Sequence, residues 1–356
     1  MLKVGIIGCG NIAYGSHLPA YIGNNEAKVV ALCDINSEKF SRFEKFLGKL
    51  PKYTDYKEMI EKENLDFVDI CTPNYLHAEI AIYAMKHGLH VFCEKPDTIS
   101  VENALKMKQV QEQTGKHLMV MRNNRYWYST KELKKMIDNG DFGEIYTGRC
   151  GWIRRRGIPG RGGWFTTKAQ SGGGPLIDLG VHMIDLAIYL MGNPKAVSVT
   201  GCTYNKFADS EDEQDSVHAT FGEAVKGGTF DVEDLATGFI KFENGASLQI
   251  EFSWASNIEK EKNFVELRGT KLGVKWEDGI YTLYNGKAVN RLQDCISKLR
   301  QEKHHTLIHK ANILHFIDVI NGKAEPDFVI DQGVNMIKIL CGIYESAQTG
   351  KEVILK

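Results

Sequence analysis

Five short apolar runs, Val4–Ile7, Val29–Cys33, Phe67–Cys71, His90–Cys93 and Leu118–Met121, punctuate the first 120 residues. Helix-period segments fill the gaps: Ser37–Leu47, Tyr56–Lys62, Leu76–Lys86 and Val101–Gln113. Runs that are apolar throughout belong to strands covered on both faces, as in a parallel sheet. Parallel neighbours need right-handed crossovers, which the helical segments supply. The alternation therefore predicts a doubly wound α/β domain.

The rhythm changes after Asn124, so the expected domains are 1–124 and 125–356, with C-terminal helices free to pack back on the first. The second begins with a helix, Ser129–Asp138, and a strand near Ile145–Ile153. A glycine-rich loop and a long apolar helix, Leu176–Met191, follow. Strand-like runs then come in succession: Ala196–Thr203, Thr237–Phe242, Ser247–Ser253 and Phe264–Gly269. Asn244-Gly245 is a hairpin signal between two of them, which predicts a largely antiparallel sheet in an α+β domain. Helices return at Ile308–Ile320 and Gln332–Ala347, and Asp209–Asp215 reads as a solvated acidic loop.

Composition narrows the partners. With 44 basic and 45 acidic residues, the net charge of −1 gives no global case for nucleic acid or an anionic membrane. No apolar run approaches the ~18 residues that span a bilayer, and the N-terminus enters a strand at once without a signal-peptide pattern. The eight cysteines, Cys295 among them, are dispersed, with no C-x-x-C pair. They read as reduced packing residues in a soluble, cytoplasmic protein.

Gly8-Cys9-Gly10-Asn11-Ile12-Ala13 follows the first strand and fits G-x-G-x-x-G/A. Gly8 makes the tight turn, Gly10 leaves the backbone bare for a pyrophosphate, and Ala13 lets the following helix pack close. The second strand ends in Asp34, 21 residues beyond Ala13, placed to accept the ribose hydroxyls of an adenosine. Its charge would repel a 2′-phosphate, so NAD is favoured over NADP.

Two further features carry chemistry. Glu94-Lys95-Pro96 lies at the carboxyl end of a strand, where open α/β sheets bind ligands, and Lys95 there can stabilise charge on a substrate oxygen. Gly172-Gly173-Gly174-Pro175 opens the apolar segment that holds Asp178 and His182. Four residues apart, these are expected on one buried helix face, where the carboxylate supports a proton-exchanging imidazole. Asp185 is a candidate supporting carboxylate. Between Trp152 and Phe165, Trp164 and Phe165 can stack on a sugar ring, while Arg154, Arg155, Arg156 and Arg161 can bind hydroxyls or an anion, or form a solvated edge. His304, His305 and His309 lack companion ligands, so no metal is expected.

With Cys71-Thr72-Pro73-Asn74-Tyr75-Leu76-His77 and the terminal Ile343–Gly350 added to these motifs in order, the chain resembles the Gfo/Idh/MocA family nearly end to end. The resemblance implies a Rossmann domain and a second domain with a large, open-faced, mostly antiparallel sheet that joins copies into homodimers or homotetramers. It also implies hydride transfer between NAD(P) and a secondary carbinol carbon of a sugar, glycoside or cyclitol. On matching positions, Lys95 contacts the reacting hydroxyl, His182 is the general acid/base and Asp178 its neighbour. Thr72, Pro73, Asn74 and His77 border the nicotinamide, and Glu94 lies near its ribose. Asn124 and Arg125 match a pair that approaches cofactor or substrate. The arginine-rich run into Trp164 is similar to that of members oxidising glucosides or free sugars at a ring hydroxyl. Two alternatives stay open: redox-neutral glycoside cleavage or elimination with retained NAD, and a non-catalytic NAD-binding regulator.

Overall fold

The computed structural model describes residues 1–210, 220–286 and 305–356. The acidic stretch past Ser210, Cys295, His304 and the side chain of His305 lie outside the described residues. The chain gathers into two compact units, one from Met1–Asn123 with His304–Val334, the other from Asn124–Lys303 with Asn335–Lys356.

The first unit is built on six strands: β1 (Leu2–Ile7), β2 (Ala27–Cys33), β3 (Lys52–Tyr53), β4 (Phe67–Ile70), β5 (His90–Cys93) and β6 (Leu118–Val120). Their order is β3-β2-β1-β4-β5-β6, every pair parallel. This is the doubly wound Rossmann order. The five apolar runs became its five main strands. The sixth, β3, is a two-residue edge too short and polar to show in a hydrophobicity pattern. Side-chain caps start the crossover helices: Asp55 accepts the Lys57 N–H ahead of Tyr56–Lys62, and Ser100 accepts the Asn103 N–H ahead of Val101–Thr114.

The segment after the glycine turn is not a regular α-helix. The Leu18 N–H bonds to the carbonyl of Ala13, five residues back, making a π-helical turn over Ala13–His17 before the short helix Leu18–Tyr21. Pro19 has no N–H to donate at this point, which relaxes the four-residue register. The wide turn sends His17 into the core, with no exposure. Helix His305–Ile320 packs on this segment, and its Phe316 meets the rings of Phe67 and Phe92 at 5.4 and 5.3 Å. A buried Arg122–Asp97 ion pair, with the Arg122 N–H on Asn312 Oδ1 at 2.7 Å, ties the same C-terminal stretch to the end of β6.

The second unit holds an eight-stranded sheet. Its strands are β7 (Ile145–Ile153), β8 (Ala196–Tyr204), β9 (Leu235–Phe242), β10 (Ser247–Ser253), β11 (Lys262–Gly269), β12 (Gly273–Glu277), β13 (Ile280–Tyr284) and β14 (Val353–Ile354). The order is β13-β12-β11-β7-β10-β9-β8-β14, antiparallel throughout except for β7 beside β10. Asn244-Gly245 turns β9 into β10, with Gly245 at φ +85°.

One expectation fails here. Residues 176–191 do not form one helix but two, Pro175–Asp178 and Gly180–Leu190, and the run Lys168–Asp178 meets the second at 48°. The His182 N–H bonds to the carbonyl of Leu179, three residues back. Gly180 lies against Phe252 of β10, whose ring is 3.2 Å from where a Cβ would stand. The tight turn lets the second helix settle on β7, β10 and β11. Among the described residues no single helix is long and apolar enough to cross a membrane. The seven described cysteines are free, and burial pushes the Cys33 and Cys71 thiols up to about 12.

Candidate functional site

At the carboxyl end of β1, Gly8 has φ +91°, and a Cβ there would stand 2.5 Å from the carbonyl oxygen of Cys71. Only glycine fits on both counts. A Cβ on Gly10 would meet nothing within 4 Å, so its bare backbone opens outward. Ala13 is fully buried, while Asn11 and Ile12 lie nearer the surface, with Asn11 Oδ1 accepting from Arg42 at 2.8 Å. Asp34 closes the turn: Oδ2 accepts the Cys9 N–H at 2.7 Å, Oδ1 the Asn36 N–H at 2.8 Å, and Lys39 Nζ stands 3.8 Å away. Thus Asp34 orders the glycine turn as well as sitting at the end of β2.

The turns after β4 and β5 are joined by His77, whose ring nitrogens face the carbonyls of Pro96 at 2.7 Å and Thr72 at 2.9 Å. Burial pulls the His77 pKa below the usual imidazole value despite these carbonyls, so the neutral ring donates one bond at a time. Asn74 is buried and Pro73 precedes its turn. Thr72 Oγ1 is buried with no hydrogen-bond partner among the described residues. An open glycine backbone, an acidic residue closing β2 and an orphaned hydroxyl at the next turn fit a bound dinucleotide.

Glu94 turns inward rather than outward. Its Oε1 faces His17 Nε2 at 2.9 Å and its Oε2 accepts the Lys95 N–H at 2.9 Å. Burial raises its pKa, but His17, His309 and Lys95 outweigh that and hold the carboxyl below its ordinary range. Lys95 itself is half-buried at the mouth of the turn. His17 and Asp69, which sequence reasoning missed, lie behind it. The one legible signal was Asp69 itself, an acid in an otherwise apolar strand, which demands a partner. His17, Asp69 and Cys71 bring their donor atoms within 4.8 Å of one another, but the imidazole already gives Nδ1–H to Asp69 at 2.9 Å. The group is an ion pair with a thiol alongside. His309, on the helix behind it, faces Asn123 Nδ2 at 3.3 Å.

In the second unit Asp178 and His182 sit on consecutive helices and are half-buried, not enclosed as expected. Asp178 accepts the indole N–H of the buried Trp254 at 3.1 Å, and His182 lies 6.2 Å from the Trp152 ring, centre to centre. Arg154 stacks over Trp152 and faces Asp178; burial lowers its pKa to about 10 although Asp178 and Glu261 oppose this. The Gly174 and Leu176 N–H groups both donate to the buried carboxylate of Glu233, which also accepts the Tyr344 hydroxyl at 2.8 Å. These bonds anchor the entrance to the Asp178 helix.

Asp185 serves Arg125: Nε and Nη2 of the guanidinium lie 2.8 and 2.6 Å from its two oxygens, both residues buried, with Tyr189 stacked 4.8 Å away. Asn124 Nδ2 points to Met183 Sδ, and its Oδ1 accepts from Trp127. In the loop, Trp164 and Phe165 stack on each other at 3.8 Å, with Phe165 buried and Trp164 half-exposed. Arg155, Arg156 and Arg161 spend their N–H groups largely on backbone carbonyls.

Residues 2–122 match a family described as the oxidoreductase family with an NAD-binding Rossmann fold. Residues 130–275 match the GFO/IDH/MocA C-terminal domain. Over 99% of its length the chain is 33% identical to the D-glucoside 3-dehydrogenase of Escherichia coli K12, covering 97% of that protein. An oxidoreductase domain protein from Kribbella flavida superposes with a TM-score of 0.85 at 21% identity, covering 100% of this chain and 99% of that one. A levoglucosan dehydrogenase in complex with NADH and levoglucosan gives 0.82 at 22% identity, covering 99% of each chain.

Proposed function

Because the chain belongs to the Gfo/Idh/MocA family of NAD-binding oxidoreductases, we propose that it oxidises a ring hydroxyl of a D-glucose-type sugar or glycoside, carbon 3 being the leading position. The observation that carries this reading is the end-to-end match to a D-glucoside 3-dehydrogenase. We assign the reacting groups to Lys95, Asp178 and His182, on the motifs that carry the resemblance.

Gly8, Gly10, Asn11, Ile12, Ala13, Asp34, Thr72, Pro73, Asn74 and His77 hold the dinucleotide, and bound NAD supplies the hydride acceptor. Lys95 binds the reacting hydroxyl oxygen and stabilises negative charge as it develops there. His182 takes the hydroxyl proton, and Asp178, oriented by the Trp254 N–H, stabilises the imidazolium that results. In the reverse direction His182 returns that proton. Trp164 offers a half-exposed ring face to the sugar, and Arg125 shapes the site through its pair with Asp185. A second copy packs on the eight-stranded sheet.

The test is a panel of D-glucosides, free sugars, inositols and their keto forms, with NAD and NADP. Formation of reduced nicotinamide together with a 3-keto sugar supports the reading. Turnover confined to inositols or to another carbon overturns the substrate assignment.

A further inference from the structure

The buried group behind Glu94 belongs to no step described above. His17 has no exposure, and each of its ring nitrogens faces a carboxylate: Nδ1 lies 2.9 and 3.0 Å from the two oxygens of Asp69, Nε2 lies 2.9 Å from Glu94 Oε1. A neutral imidazole has one N–H and one lone pair. With carboxylates on both sides, the lone pair would point at an acceptor, so a neutral ring fits only if one acid is protonated. The surroundings oppose that. Asp69 Oδ2 accepts the Tyr21 hydroxyl at 2.7 Å, Cys71 Sγ lies 3.7 Å from Oδ1, and Glu94 Oε2 accepts the Lys95 N–H. Donors other than His17 therefore meet both carboxylates, with the Cys71 thiol also 3.4 Å from His17 Nδ1, and this stabilises both as anions. The array reads as carboxylate, imidazolium, carboxylate, with one net negative charge.

We infer that His17 is a positioning residue that locks Glu94 in a fixed, ionised state behind Lys95, so that the turn presents a constant negative charge favouring oxidised over reduced nicotinamide. This deepens the proposed function and rests on it. The direction follows from charge alone: the oxidised ring is cationic, the reduced ring neutral, and a carboxylate in low-dielectric surroundings discriminates between them. The π-helical turn is the local device, since it is what swings His17 from the helix toward β4 and β5. The charged and titratable groups facing the pair are Asp69, Cys71, Tyr21 and His309 around His17, and Lys95, His309, Cys71, His77 and Cys93 around Glu94. Burial lowers the His17 pKa, but Asp69 and Cys71 reverse this and leave it well above the ordinary imidazole value.

Affinities of the full-length protein for NAD⁺ and NADH, measured by calorimetry between pH 5.5 and 9, test the inference without any substrate. In the native protein the ratio of the two affinities is flat with pH. In His17→Gln, Glu94 loses its cation and its pKa climbs, so NAD⁺ binding weakens about tenfold at the acid end and recovers as pH rises, while NADH binding moves less. Glu94→Gln lowers the ratio by a similar factor at every pH. An unchanged pH profile in folded His17→Gln, or an unchanged ratio in Glu94→Gln, overturns the inference. Should His17→Gln fail to fold, nitrogen NMR of the native protein decides: one of the eleven histidines must keep both ring nitrogens protonated at pH 8, and its absence counts against the inference. Native protein that binds neither dinucleotide contradicts the proposed function and this inference together. Native binding with an unmoved variant contradicts the inference alone.

Discussion

Replacing His182 by alanine removes the proposed base while leaving every residue of the glycine turn in place. The expected result is a fall of about 10²–10⁴ in kcat with NAD affinity unchanged, read by single-turnover kinetics and calorimetry. Lys95→Met is expected to give a loss of similar size, because charge on the reacting oxygen loses its ammonium. Asp34 behaves differently, since it holds the Cys9 N–H in addition to its proposed role at the ribose. Asp34→Ala should weaken NAD about tenfold or more, narrow the preference over NADP, and lower stability by about 1–3 kcal/mol through the orphaned amide. Steady-state kinetics with both dinucleotides and denaturant titration measure the two effects separately. At this scale the glycine turn and its Asp34 were readable because their geometry follows from local pattern, and Lys95 and His182 were singled out by the motifs that carry their proposed roles. Asp185 was not: its partner Arg125 is 60 residues away, and no spacing rule links them.

Among the elements, the buried ion pairs in the first unit give stability a pH signature with two sides. Glu94 has a folded pKa below its ordinary 4.5, so its contribution is present above that value and is lost as pH falls through the folded value. His17 has a folded pKa well above its ordinary 6.5, so its contribution is complete below that value and is lost as pH rises through the folded value. Thermal melts should therefore show falling limbs on both sides, and Glu94→Gln should flatten the acid one. Gly8→Ala places a Cβ against the Cys71 carbonyl at a positive φ, and is expected to cost about 1–3 kcal/mol together with most NAD affinity. The five main strands of the first sheet were legible because burial on both faces makes the whole run apolar. The break at Leu179 was not, since an apolar stretch reads the same whether one helix or two lie on the sheet, and Gly180 against Phe252 is a tertiary contact. The π-helical turn escaped for the same reason, with Pro19 its only local trace.

At the level of the whole molecule, His304–Val334 groups with the N-terminal unit; the sequence left C-terminal helices free to pack there, but hydrophobic periodicity does not encode which residues return. Net oxidation and a redox-neutral cycle share the first hydride transfer, and they part when reduced nicotinamide either leaves or returns its hydride after bond cleavage. Sedimentation should report a dimer or tetramer, and a charged pair introduced on the face of β7 and β11 away from helix Gly180–Leu190 should return it to monomer. The most direct measurement is the yield of free NADH per 3-keto sugar when the native protein meets a methyl D-glucoside and excess NAD. The account predicts one NADH for each oxidised sugar, abolished in His182→Ala that still binds NAD. Glycoside consumed without NADH release, or oxidation undiminished in His182→Ala, would contradict it.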